Sequence, residues 1–483
     1  MKKEETLEQK EKRHLKEKNE LIRREKEFAK KKPKGYLWFL FLVLSLVYIT
    51  DEVASQISIQ NQSNIIQEFF VQKMGMDYGS GLTLFQTLGL ITTPLLLLAV
   101  FYKPLSDRIG RKPFLIINTF FMGVGMFIIY LSQNIVVYML GSCVISFFVM
   151  HDMHCVYILE TAPKEKRATL YSVSKCFAVL GTMFIPLMRD IFMKNDSSKW
   201  HLVFLVPAIF GAVISLVALL LARETDAFLI RRIEYLKQTD EEREEIKKIH
   251  ASEESQGGIV DAVKFSFKHK QLRNLMFCTV FFFIASIVTS TYNTVLKESY
   301  GLEETAVTTV LFFYPFGNAF YTLISGFFSD KLGRKLTSVI MSISAIINYI
   351  MFIISLTFNF PPWLVGLFIG FFMGSYWSAG DTVGGIMFGE SAPTNLRSSV
   401  VTVQTLVFGI GGLVGQGIAM VCQVFIPVSS FGIMYTLIAI PSMVVSLILL
   451  MKNVGETKGL DLTKITGEEW DDKKEEVLED AQV

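Results

Sequence analysis

The chain has 483 residues, of which 51% are hydrophobic and 13% aromatic, and its 47 Lys and Arg nearly match 45 Asp and Glu. A soluble core cannot hide that share of apolar side chain, because the water-facing surface must still be covered. The charged residues are segregated into residues 1–36, 223–273 and 452–483, with small clusters between long apolar runs.

The amino tail (Lys2 to Lys34) mixes acidic and basic residues at helical spacing and ends in Lys30-Lys31-Lys32. This predicts a solvated helix resting on anionic lipid headgroups. Glu interrupts the basic residues throughout, which argues against nucleic acid. A long charged amino end with no small-residue cleavage site after the first apolar run argues against a cleavable signal peptide.

The apolar runs have the length of membrane spans, roughly 20 residues each. Twelve are expected, at 37–59, 81–102, 113–132, 135–158, 168–190, 202–222, 275–297, 305–328, 337–357, 363–389, 398–422 and 431–451. The five Cys all fall inside them, so no disulfide framework is indicated. Lys and Arg fill the amino tail and the loops after spans 2, 4, 6 and 8, and recur in the carboxyl tail. The loops after spans 3 and 9 are nearly bare. By the positive-inside rule both termini are cytoplasmic, and an even number of spans agrees in putting them on one side.

Ionisable side chains at membrane depth are costly, so each is a candidate for function. Span 1 carries Asp51 and Glu52 in its middle. Span 4 carries His151, Asp152 and His154, and the two His, three apart, share one face. That cluster reads as a proton relay, a solute contact or a hydrogen-bonded core. Too few ligands stand together for a metal, and no cofactor is expected. Span 5 contributes Lys175, which snorkels toward the cytoplasm or, facing a cavity, favours an anion; Arg189 and Asp190 stand at its outer end. Spans 7 and 10 offer Tyr292, Asn293, Tyr376, Trp377 and Asp381 as solute contacts. Aromatics pack on sugar or cationic faces but also serve as interface anchors.

The chain repeats itself. Ser106-Asp107-Arg108-Ile109-Gly110-Arg111-Lys112 is echoed by Ser329-Asp330-Lys331-Leu332-Gly333-Arg334-Lys335. Glu160 to Arg167 (ETAPKEKR) is echoed by Glu390 to Arg397 (ESAPTNLR), and Glu224-Thr225 by Glu456-Thr457. Three pairs in one order mean a duplicated six-helix unit. The expected domains are a tail at 1–36, a bundle at 37–222, a linker at 223–273, a second bundle at 274–451 and a tail at 452–483. Phe228, Leu229, Ile233, Leu236 and Ile246 suit amphipathic helices in the linker.

On these motifs residues 36–460 resemble a major facilitator superfamily transporter. D-R-x-G-R-K is that superfamily's loop signature, and the paired E-x-x-P-x-x-x-R and E-T motifs resemble those of sugar porters and related metabolite–proton symporters. The resemblance implies an all-α integral membrane fold of 12 helices in two six-helix bundles, with solute held near the midplane between halves. It also implies a cytoplasmic gating network of Asp107, Arg108, Arg111, Glu160, Arg167 and Glu224, mirrored by Asp330, Arg334, Glu390, Arg397 and Glu456. Asp51 falls where proton-coupled sugar porters keep an Asp and is the expected proton carrier, with Glu52, His151, Asp152 and His154 as further candidates. Lys103 replaces the usual first Gly of the loop motif, span 7 lacks a Gln-rich signature, and Leu140 stands near the place of the family's span-4 Arg.

The expected function is proton-coupled uptake of a small polar metabolite, sugar-like or carboxylated, with a uniporter or exchanger as the alternative and a solute-sensing transceptor below it. Nucleophile elbow, zinc spacing and phosphate loop are all missing, so no enzyme is expected. The expected partners are solute, protons and membrane lipids. The expected setting is a multi-pass monomer in the plasma membrane, a bacterial inner membrane by its short first outer loop.

Overall fold

The structure is a computed structural model and describes residues 7–92, 105–149, 153–161, 167–243, 259–392 and 397–458, with isolated positions between 94 and 102. Every regular element among these residues is helical. The longer ones before the linker are α1 (Leu7–Ala29), α2 (Tyr36–Gln60), α3 (Tyr78–Gly89), α4 (Arg111–Tyr130), α5 (Ile135–Val149), α6 (Met153–Thr161), α7 (Arg167–Gly181), α8 (Phe184–Met193) and α9 (Trp200–Leu221). The linker holds α10 (Asp226–Lys237) and α11 (Ile259–Lys268). Then come α12 (Lys270–Ile284), α13 (Ser286–Thr294), α14 (Glu304–Leu332), α15 (Arg334–Thr357), α16 (Pro362–Gly380), α17 (Arg397–Phe425) and α18 (Phe431–Asn453).

Among the described residues, eleven helices are long and apolar enough to cross a membrane, and their limits follow the expected spans closely. The expected span at 81–102 begins with α3 and a 3-10 turn at Leu90–Thr92. Most positions from 93 to 104 lie outside the described residues.

The described residues form two compact units. The first comprises Met1–Ser55, Gly89–Ala178 and Phe204–Ala251. Its core joins Leu40, Leu44 and Val47 of α2 to Leu115 of α4, Tyr157 of α6 and Ile214 of α9. Lipid tails are as apolar as these side chains, so close packing rather than water exclusion holds the helices together. Small residues make that packing possible: a Cβ on Gly125 would lie 3.0 Å from the Gly141 carbonyl oxygen.

The linker helix α10 is capped by Thr225, whose hydroxyl accepts from the Phe228 N–H at 3.3 Å. It buries Phe228, Leu229 and Leu236; Ile246 lies outside the described residues. The amino-tail helix forms as predicted, but its acidic face is turned to the linker rather than left to solvent. Glu20 pairs with Arg232 at 2.8 Å, Glu17 with Arg243 at 2.9 Å and Glu25 with Lys237 at 2.8 Å. Arg24 is buried and donates to the Ile109 carbonyl at 2.9 Å, just before Gly110. Alternating charges at helical spacing therefore give this helix a partner within its own chain.

The second unit comprises Gln56–Leu88, Val179–Val203 and Ser252–Val483. Its core joins Leu272, Leu275 and Cys278 of α12 to Val400 and Val403 of α17 and Leu450 of α18. A Cβ on Gly317 of α14 would come within 2.7 Å of the Leu367 carbonyl of α16. The end of α2 from Gln56 and the whole of α8 belong to this unit, among helices of the second repeat.

Candidate functional site

The two basic loops build the same corner twice. Arg111 donates to Glu160 at 3.2 Å and to the Ser106 hydroxyl at 2.9 Å, while Glu160 accepts from the Thr225 hydroxyl at 2.6 Å. Glu224 caps the first turn of α4, accepting from the Arg111 and Lys112 backbone N–H groups at 3.0 and 3.2 Å. In the second copy Arg334 meets Glu390 at 3.4 Å and the Ser329 carbonyl at 2.7 Å, and Glu390 accepts from the Thr457 hydroxyl at 2.6 Å. Glu456 caps α15 through Arg334 and Lys335 N–H at 2.8 and 3.1 Å. A carboxylate at a helix amino end is favoured by the dipole and the unpaired N–H groups there. Each described network closes within its own repeat. The side chains of Asp107, Arg108, Arg167, Asp330 and Arg397 lie outside the described residues.

The two caps differ electrostatically. Burial lifts the Glu224 carboxyl above its ordinary range, against the pull of the Thr225, Lys112 and Arg111 N–H groups. Burial acts the same way on Glu456, but the N–H groups of Lys458, Arg334, Lys335 and Thr457 outweigh it, and its carboxyl is held below the ordinary range.

In the first unit α2, α4 and α6 bring Asp51 and His154 into one small pocket with Asn118 and Thr119, walled by Val47, Leu115, Met122, Phe148 and Met153. Asp51 is 7% exposed and His154 2%. The Tyr48 ring lies over the imidazole, centroids 4.0 Å apart. Asn118 accepts from the Tyr102 hydroxyl at 2.8 Å. Its amide nitrogen and His154 Nε2 are buried without a partner among the described residues. Leaving such groups unpaired costs about 1–3 kcal/mol each. Glu52 is half-buried, and His151 and Asp152 lie outside the described residues. Lys175 is half-buried on α7 beside Ser174, whose hydroxyl meets that of Ser45 on α2 at 3.3 Å.

In the second unit Tyr376 is fully buried, stacked on Phe282 at 4.6 Å, and donates its hydroxyl to the Phe282 carbonyl at 3.2 Å. Trp377 is partly exposed and meets Phe283 edge-on at 6.0 Å. Asp381 is exposed and opens a π-helical stretch, Asp381–Met387, a geometry common at functional sites. Tyr292 stacks on Tyr314 at 5.9 Å with its hydroxyl beside Gln60. Around it runs a set of neutral polar groups. Thr83 donates to Gln423 at 3.0 Å, Gln423 to the Tyr435 hydroxyl at 2.9 Å, and Thr294 to Gln62 at 2.8 Å. Gln86, one turn beyond Thr83, is buried with both ends of its amide unpaired among the described residues, and so is Gln404 Oε1.

Asn293 is committed to backbone. It accepts from Ser63 N–H at 3.0 Å and donates to the Gln60 carbonyl at 2.9 Å. Arg189, fully buried on α8, donates to that same carbonyl at 2.8 Å, to Asn61 Oδ1 at 2.5 Å and to Glu304. Lys297 also reaches Glu304, at 2.8 Å. The sequence reading did not find Asn118, Gln86, Gln404 or Glu304. An amide inside an apolar span was the available signal for the first three.

A twice-built loop corner, an all-helical membrane fold and buried polar side chains inside it define a membrane carrier. A profile of the Major Facilitator Superfamily matches residues 53–416, and the chain belongs to that superfamily of transporters. It is similar to the glucose transporter GlcP of Staphylococcus epidermidis, 24% identical over 75% of this chain and 83% of the relative. It is also similar to the putative metabolite transport protein YwtG of Bacillus subtilis, 24% identical over 84% of this chain and 95% of that one. Its fold is that of a solved D-xylose–proton symporter, with a TM-score of 0.65 at 16% identity over 88% of this chain and 99% of that one. The protein is a multi-pass membrane transporter for a small solute, not an enzyme.

Proposed function

We propose that this transporter is a proton-coupled symporter of a neutral, sugar-like polar metabolite in the plasma membrane. The observation that carries the reading is the buried cleft holding Asp51 with His154, Asn118 and Thr119. A carboxyl and an imidazole at membrane depth are expensive, and side chains of this kind inside spans mark proton or solute paths. Leu140 stands near the family's span-4 Arg position, so His154 takes the role of the partner that senses the charge on Asp51.

Solute class follows from the neutral amides and hydroxyls of Gln86, Gln404, Gln423, Thr83 and Tyr435 in the second unit. Buried amides left unpaired recognise hydroxyl groups and discriminate sharply against analogues lacking them. Relatives named as a glucose transporter and a D-xylose–proton symporter support the same class. Organic acids are the second choice, favoured only by Lys175. Uptake by proteoliposomes across hexoses, pentoses and carboxylates, with an inward proton gradient, tests the reading. Accumulation of a neutral sugar supports it; accumulation of carboxylates alone sinks the substrate assignment.

A further inference from the structure

We propose that Arg189, Asn293 and Glu304 form an outer latch, a set of positioning residues that must come apart whenever the solute site opens to the side opposite the basic loops. The inference rests on the carrier reading for the cycle it serves and is independent of solute and proton.

Four chain segments meet at this point within one compact unit: the end of α2, α8, the end of α13 and the start of α14. Arg189 is 0% exposed and engages three acceptors with one guanidinium: the Gln60 carbonyl, Asn61 Oδ1 and the Glu304 carboxylate. Asn293 clasps the same α2 terminus from the other repeat, through the Gln60 carbonyl and the Ser63 N–H. Glu304 takes a second cation, Lys297, at 2.8 Å, so two positive groups converge on one carboxylate.

Nearby, Glu298 accepts from Ser63 and, at 3.3 Å, from Gln67. Residues 56–67 and 189 come from the first repeat, and residues 293–304 from the second. The described cytoplasmic corners each close inside one repeat, whereas this network crosses between repeats. A contact that crosses is one that a rocking motion of the repeats must break.

Burial makes the contact directional. An Arg removed from water is tolerable only while its donors are matched, and removing one partner leaves the other charge stranded. The planar fork serves three acceptors at once, which an ammonium cannot copy. The latch is therefore closed as a whole or open as a whole. The outer corners are a fourth element of the repeat: Gly75 and Gly301 have φ +69° and +66°, each following a π-helical end and followed two residues on by an acid, Asp77 and Glu303.

The test uses the full-length chain in sealed vesicles with Thr294→Cys as reporter, since Thr294 is fully buried beside Asn293. A membrane-impermeant maleimide is applied from the outer side, with the parent chain and its native Cys as background. Glu304→Gln and Arg189→Gln are each expected to speed labelling at least tenfold. Arg189→Lys, which keeps charge and loses the fork, is expected to fall between and carries the test if the other variants do not give a monodisperse protein. Rates within twofold of the parent in the folded variants overturn the latch. Faster labelling in a protein that transports nothing overturns the carrier reading and leaves the latch standing.

Discussion

The carboxylate of Glu224 occupies the space where a side chain on Gly110 would stand. Gly110 has φ +129° and hands the chain into α4, and an added Cβ would overlap Glu224 Oε2. Gly333 repeats the arrangement at φ +95°, with Glu456 Oε2 only 2.5 Å from a built Cβ. Gly110→Ala and Gly333→Ala are each expected to cost about 1–3 kcal/mol through left-handed strain and loss of the cap. Thermal unfolding of the detergent-solubilised protein, followed by tryptophan fluorescence, measures it. An unchanged midpoint in both would show that the caps yield without cost.

The two caps respond to acid in opposite senses. Glu456 has a folded pKa below its ordinary 4.5, so its contribution is present above that value and is lost as pH falls through the lower folded pKa. Glu224 has a folded pKa above 4.5, so its contribution is present below that value and is lost as pH rises through the higher one. Glu456→Gln is therefore expected to flatten the loss of thermal stability below pH 5.5, and Glu224→Gln to steepen it. Identical acid limbs for the two variants would contradict the assignment of opposite shifts.

The amino helix is held by charge. Glu20 makes a two-pronged pair with Arg232, at 3.1 and 2.8 Å, the geometry in which an ion pair is most specific. Glu20→Gln and Arg232→Gln are each expected to loosen α1, seen as faster trypsin cleavage between residues 7 and 29. Each exchange is worth no more than about 1 kcal/mol because such pairs are screened. Cleavage rates indifferent to both changes would mean that Arg24 and its stacking on Phe228 hold the helix instead.

Gln86 and Gln404 are expected to act on solute affinity and not on folding. Gln86→Leu removes an amide whose two ends are unpaired among the described residues, so the fold loses nothing while solute loses a partner. A KM raised tenfold or more with an unchanged melting midpoint is the predicted split. A fall in stability with KM intact would make the amide a structural group.

What the sequence disclosed follows from how local the chemistry is. The loop corners were legible because Gly110, Arg111 and Lys112 lie together and recur as Gly333, Arg334 and Lys335. Eleven of the twelve expected apolar stretches coincide with long helices among the described residues, because a bilayer fixes the length of a span. The latch was hidden because Arg189 and Glu304 stand 115 residues apart. The sequence set Arg189 beside Asp190, which turns out exposed near Lys194, 4.0 Å away. Asn293 stood out as a solute contact by its residue type, while its two hydrogen bonds to backbone are visible only in three dimensions. The repeated turn at Gly75 and Gly301 escaped notice because two glycines followed by acids are too little signal without their positive φ.

Solute-driven proton movement bears most closely on the role of Asp51. Proteoliposomes with no imposed gradient are given an accumulated sugar, and the external medium is followed with a pH electrode. Alkalinisation in step with sugar entry is predicted for the parent, with its loss in Asp51→Asn while sugar exchange across the membrane continues, and a shifted pH dependence in His154→Gln. Sugar entry without alkalinisation, or full alkalinisation in Asp51→Asn, would contradict proton coupling at this cleft.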